Sequence, residues 1–178
     1  MRPFAASAFV AILASAVTAC TSSEAPDVDR DDRAATVAAQ IEVMDRRIAA
    51  TNVKDWSTWQ ALHTDDACRT APELAEPLCG SAAMRGAIEA LSNAFPDYRL
   101  ELEQAVGDGE WLTVRMRTRG TMTGPLVLSD GGTIPPTGRS ISQEWVAVVA
   151  YDRDRIVQFD EFYDQYTLMV QLGLAPPL

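Results

Sequence analysis

One histidine, three cysteines and a shortage of basic residues set the first limits on this 178-residue chain. A lone histidine with no cysteine cluster around it argues against a Cys/His metal centre and against a Ser-His-Asp hydrolase. No glycine-rich phosphate loop is visible either, so neither a metal nor a cofactor is implied. Fifteen lysines and arginines stand against 25 aspartates and glutamates, a net charge of −10. That is the wrong sign for a nucleic-acid backbone or for a polybasic membrane patch. The sequence has no internal repeat. Its one long uncharged apolar run, Phe4 to Val17, is short for a bilayer span.

That run has the flanks of a leader. Arg2 precedes it, and Val17-Thr18-Ala19-Cys20 follows as a small-residue cleavage site ending in cysteine. Residues 1–19 read as a lipoprotein signal peptide, with Cys20 the acylated first residue of the mature chain. The competing reading is an ordinary secretory signal with an incidental cysteine. Residues 20–33 are rich in Ser, Glu, Asp and Arg with no periodic apolar face, and read as a flexible tether. Residues 34–178 are enough for one domain with its own core. The expectation is an extracytoplasmic protein, lipid-anchored to a bacterial membrane and facing the periplasm or the cell surface. Several acyl chains would be needed for stable attachment.

Cys68 and Cys79 are the remaining thiols. In an exported protein such a pair suggests a disulfide. A metal site or a catalytic thiol is the alternative.

Val37, Ile41, Met44 and Ile48 recur at helical spacing. Asp55 can cap a second helix whose Trp56, Trp59, Leu62 and His63 share a face, with Asp65 and Asp66 ending it. Residues 67–78 read as a short strand and a loop. Ser81 can cap a third helix carrying Met84, Ile88, Leu91 and Phe95, which Pro96 stops. Past Pro96 the period changes to two: Tyr98, Leu100 and Leu102 alternate with Arg99, Glu101 and Glu103. Gly107-Asp108-Gly109 turns into a strand with Leu112, Val114 and Met116 on one face and Arg115, Arg117 and Arg119 on the other. After an excursion over residues 124–138 come strands 141–151 and 156–163, then a helix with Leu168, Met169 and Leu172. Helices, four long antiparallel strands and a final helix make an α+β domain. The pattern allows a curled sheet around a cavity and also a flat helix-on-sheet sandwich. The arginine row is a solvated face or part of a homodimer contact.

Four short motifs occur in order: Phe95-Pro96-Asp97, Gly120-Thr121-Met122-Thr123-Gly124, Pro135-Pro136-Thr137-Gly138-Arg139 and Gln171-Leu172-Gly173. Together they resemble the SnoaL-like polyketide (ester) cyclases of the nuclear-transport-factor-2-like superfamily. The resemblance covers roughly residues 34–173. It implies a cone, with N-terminal helices packed on a curved, mainly antiparallel sheet that encloses an apolar pocket. It also implies a small hydrophobic carbonyl ligand and cofactor-free acid–base chemistry, in which a carboxylate at the end of the last strand moves a proton during ring closure. Cyclase or isomerase activity would follow from that. A non-catalytic binding or protein-interaction module of the envelope is the alternative.

On that resemblance Asp164 is the first catalytic candidate and Glu161 the second. Strand alternation puts Asp160, Phe162 and Asp164 on one face and Glu161 and Tyr163 on the other. Asp164 also has a plain structural role open to it, capping the last helix, and Glu161 reads as a solvated strand carboxylate. Trp59, His63, Met122, Trp145 and Tyr163 are the candidate ligand-lining residues, each with core packing as its alternative. Relatives usually carry a histidine where this chain has Met122, and a thioether fills space but moves no proton.

Overall fold

The computed structural model describes residues 27–128 and 131–178. The leader, Cys20 and the first half of the predicted tether lie outside the described residues. Helix α1 (Asp27–Val53) starts inside the span read as tether. No glycine or proline interrupts residues 27–33, so the helix fixed by its apolar face runs back through them. Its side facing the sheet carries Met44 and Ile48, but also Gln40, Arg47 and Thr51, all buried.

Lys54, at φ 60, ends α1. Asp55 then caps α2 (Trp56–Ala61), its carboxylate accepting from the Thr58 amide at 3.1 Å. This helix has only six residues, shorter than predicted, and His63 falls instead on strand β1 (His63–Thr70). β2 (Leu78–Cys79) pairs back on β1, and the Cys68–Cys79 disulfide links the two at paired positions. In α3 (Ser81–Ala94) Gly80 is the N-cap residue and Ser81 the first helical one, with no side-chain cap bond.

The rest is sheet: β3 (Arg99–Asp108), β4 (Trp111–Thr121), a small hairpin of β5 (Leu126–Val127) and β6 (Thr133–Ile134), β7 (Ser140–Asp152) and β8 (Arg155–Phe162). Helix α4 (Gln165–Leu172) closes the chain. The six-stranded sheet has the order β2-β1-β8-β7-β4-β3. All pairings are antiparallel except β1 with β8, which is parallel. The expected four-strand antiparallel meander therefore gains an N-terminal strand at its β8 side. The helices cover the inner face of this curved α+β sheet.

Inward-facing Leu112, Val114 and Met116 of β4 meet Val149, Ala147 and Trp145 of β7 in register. With Met44, Trp59, Met84 and Phe159 they form the main core. On the outer face the arginine row is an ion-pair ladder: Arg119 with Glu101, Arg117 with Glu103 and Glu144, and Arg115 with the same two glutamates. Exposed pairs of this kind add little stability each. They do protect a wide face from stacking on apolar surfaces.

The disulfide closes a loop with a sequence separation of 11, and restricting a loop of that size in the unfolded chain is worth about 3 kcal/mol. Reduction, or Cys68→Ser, is expected to lower the melting temperature by roughly 10 °C. A thermal melt with and without reductant checks this, and coincident curves would contradict it.

Candidate ligand-binding site

The inner face gathers an unusual set of polar groups. Arg47 projects from α1 into the aromatic part of the core and is only 4% exposed. Its guanidinium carbon lies 4.0 Å from the centre of the Phe159 ring and 5.1 Å from that of Trp59. Its Nε and Nη1 are buried without a hydrogen-bond partner. Burial depresses its pKa to about 10, against which the field of Glu161 acts. The group therefore stays cationic at neutral pH.

Trp59 holds the next ring. The His63 imidazole packs on it, centroids 4.1 Å apart. His63 Nδ1 lies 2.8 Å from the Trp59 carbonyl. A carbonyl only accepts, so Nδ1 carries the proton and Nε2 is left as a bare acceptor. Nε2 and the Trp59 indole N–H are both buried and unpartnered. Burial, with Arg47 nearby, drives the His63 pKa down to about 3.

Further along the face, the Trp145 indole N–H donates to the Thr118 hydroxyl at 2.8 Å, and the Tyr98 hydroxyl stands 3.5 Å from that same oxygen. Burial pushes the Tyr98 pKa up to about 12. Trp145 meets Phe159 edge-on at 6.3 Å.

Glu161 shares the inner face with Phe159, two residues earlier on β8. Arg69 grips it with two bonds of 2.8 Å, Nε to Oε1 and Nη2 to Oε2. The Glu161 side chain is 12% exposed, so it is not the solvated carboxylate expected from sequence. Arg69 also binds Glu73, and Glu73 accepts from the Tyr163 hydroxyl. Tyr163 is thus fixed at the rim of the cluster. Its pKa is raised by burial first and then by Glu73. Asp160, on the opposite face, takes Thr70 and Gln158.

Asp164 is elsewhere. It is the N-cap of α4, exposed, accepting from the Thr167 amide and hydroxyl, and those bonds hold its carboxyl below the usual range. A carboxylate so occupied, in water, is a poor proton acceptor. The structure gives Asp164 the cap geometry and brings Glu161, not Asp164, to the inner face.

Met122 does not join the other lining candidates. It is packed in a second core with Ala94, Phe95, Ile141 and Leu172. Trp59, His63 and Trp145 do come together on the inner face. A groove of about 340 Å³ lies between α2, α3 and the start of β1. Gln60, Asp65, Arg85 and Arg155 line it, and of the predicted residues only His63 borders it. Its walls are polar rather than apolar. Arg47 was missed by the sequence reading. The only signal was its spacing, three residues from Met44 within the buried stripe.

The sequence profile of the SnoaL-like polyketide cyclase family matches residues 41–172. The chain belongs to this family. No curated protein matches it. Among solved structures it resembles a proposed SnoaL-like polyketide cyclase from Jannaschia sp. CCS1, with a TM-score of 0.69 at 19% identity over 80% of this chain and 96% of that one. TsrD from Streptomyces laurentii gives 0.66 at 25% identity over 78% and 97%. A ketosteroid isomerase-like protein from Catenulispora acidiphila DSM 44928, solved with trimethylamine, gives 0.63 at 13% identity over 75% and 94%. The shared fold is the nuclear-transport-factor-2 and ketosteroid isomerase type.

In this SnoaL-like domain the four motifs that suggested the family converge on one corner, away from the Arg47 cluster. Asp97 accepts from the Thr121 amide at 2.6 Å. Gly124 crosses the end of α3 so closely that a Cβ would lie 2.2 Å from the Asn93 carbonyl. Met122 exchanges backbone bonds with Gly138 and Arg139. The Gln171 amide pairs with both backbone groups of Ser142, and Gly173 takes the left-handed C-cap of α4. The motifs build the scaffold and leave the inner face free to vary.

His63 makes stability pH-dependent. The unfolded chain binds its proton near pH 6.5 and the folded one only near 3. Between those values the unfolded state holds more protons, so stability falls as pH is lowered from 6.5 towards 3. Urea unfolding of wild type and His63→Phe at pH 7 and 4.5 should show wild type losing about 2.5 kcal/mol more over that interval. Parallel losses in the two proteins would refute the buried neutral imidazole.

Proposed function

We propose that this SnoaL-like domain binds a small hydrophobic carbonyl compound on the inner face of its sheet. The observation that carries this is the pair of unsatisfied groups in an aromatic setting, the Trp59 indole N–H and His63 Nε2. Buried polar atoms are rarely left unpaired, and a guest bearing an oxygen would supply what the indole lacks. Trp145 and Tyr98, joined through Thr118, extend the same wall. Family membership agrees with small-molecule binding. In the reading that includes chemistry, Glu161 is the group that would exchange a proton at the carbon alpha to the carbonyl.

A binding-only role has its own support. Both Glu161 oxygens are engaged by Arg69, and Met122 replaces the histidine usual in relatives. The bicyclic ketone 2-tetralone separates the two in D2O. Saturable one-to-one binding is expected by tryptophan fluorescence. Alpha-proton exchange above the buffer rate by NMR, abolished in Glu161→Gln and retained in Asp164→Asn, would establish acid–base activity. Binding without exchange would leave the binding role, and no binding would overturn the proposal.

The domain is further proposed to act outside the cytoplasm, held to the membrane by lipid on Cys20. The leader pattern supports this, as does the disulfide, a bond that persists in oxidising compartments. Cys20→Ser should move the expressed protein from the membrane fraction to the soluble one. An unchanged distribution would argue against the anchor.

A further inference from the structure

Arg47 poses a problem that a neutral ligand leaves unsolved. A buried charge is ordinarily neutralised by a counter-ion with hydrogen bonds between them. Here no carboxylate lies within salt-bridge distance among the described residues, and Nε and Nη1 have no acceptor. Glu161, the inward carboxylate of β8, has both oxygens held by Arg69. The rings of Phe159 and Trp59 attract the cation but offer no acceptor for its N–H groups. An oxyanion would answer both the charge and the free N–H groups.

The surroundings narrow its chemistry. The guanidinium is flanked by aromatic rings, and the neighbouring inner-face cation, Arg69, is already paired with Glu161 and Glu73. A phosphate or sulfate is heavily hydrated and would need more donors than this face supplies. A monoanionic carboxylate on an apolar body fits one guanidinium and aromatic walls. The groove that ends at His63 is separated from Arg47 by two rings: His63 packs on Trp59, and Trp59 on Arg47. Movement of His63 and Trp59 together would join groove and cation.

We infer that the inner-face site selects a hydrophobic carboxylate, its anionic oxygens received by Arg47 between Phe159 and Trp59. The inference rests on the binding role proposed above and adds the charge of the guest. Arg47 is then a specificity-determining group of the site, kept in the core despite the cost of its desolvation.

The test compares 2-naphthoate with the similarly sized neutral 2-tetralone, by fluorescence titration and by ligand-induced change in melting temperature. Wild type should bind 2-naphthoate at least ten-fold more tightly. Arg47→Met should lose that preference, bringing the two affinities to within about two-fold of each other, and Arg47→Lys should keep part of it. Equal affinities in wild type would overturn the inference and leave carbonyl binding intact. Unchanged 2-naphthoate affinity in Arg47→Met would overturn it too, as expected if Arg47 merely packs. Binding of neither compound would remove both proposals. The wild-type comparison decides the matter even if Arg47→Met fails to fold.

Discussion

The double hydrogen bond from Arg69 to Glu161 organises the inner half of this molecule. It links β1 to β8, strands that are distant in sequence and run parallel, and it fixes the only inward carboxylate of β8. Through Glu73 it also holds Tyr163 at the rim. Since Glu161 is committed to Arg69, it cannot turn to Arg47. The second guanidinium is left with aromatic neighbours alone. The polar character of the site follows from that one pairing.

The chain divides its work between two cores. One lies where the end of α3, the β5–β6 hairpin and α4 meet, and there tight approaches at Gly124 and Gly173 and the Gln171–Ser142 pair fix the connections. The other lies beneath α1 and α2 and carries the groups able to meet a ligand. A Cβ at Gly124 would lie 2.2 Å from the Asn93 carbonyl oxygen and Gly173 sits at φ 73, so the first corner constrains residue type strongly. The inner face constrains mainly volume and burial, so chemistry there can change without loss of the fold.

Legibility in the sequence followed the same division. The long strands were read correctly because one face is buried and the other carries a charge ladder, giving strict alternation at residues 111–119. The α4 cap was visible because Asp164 stands at a strand–helix junction. Strand β1 was only partly foreseen, since His63-Thr64-Asp65-Asp66 has no alternation and is held by a parallel partner 90 residues away. For the same reason α2 was drawn too long and His63 placed on it. Glu161 was read as solvated because its partner Arg69 lies on a strand that local pattern did not define. Arg47 escaped notice because apolar periodicity ranks only apolar residues.

From its order of residues alone, this protein declared its α+β class, the cysteine pair, the turns and caps, and the family to which it belongs. Those features rest on local backbone preferences, on two-residue or 3.6-residue periods, and on glycines that only close contacts require. The tertiary structure decided which carboxylate faces inward, which one is exposed as a helix cap, and that Arg47 stands buried beside aromatic rings. Burial and partnership belong to residues brought together across the sheet, and no local pattern encodes the distance between them.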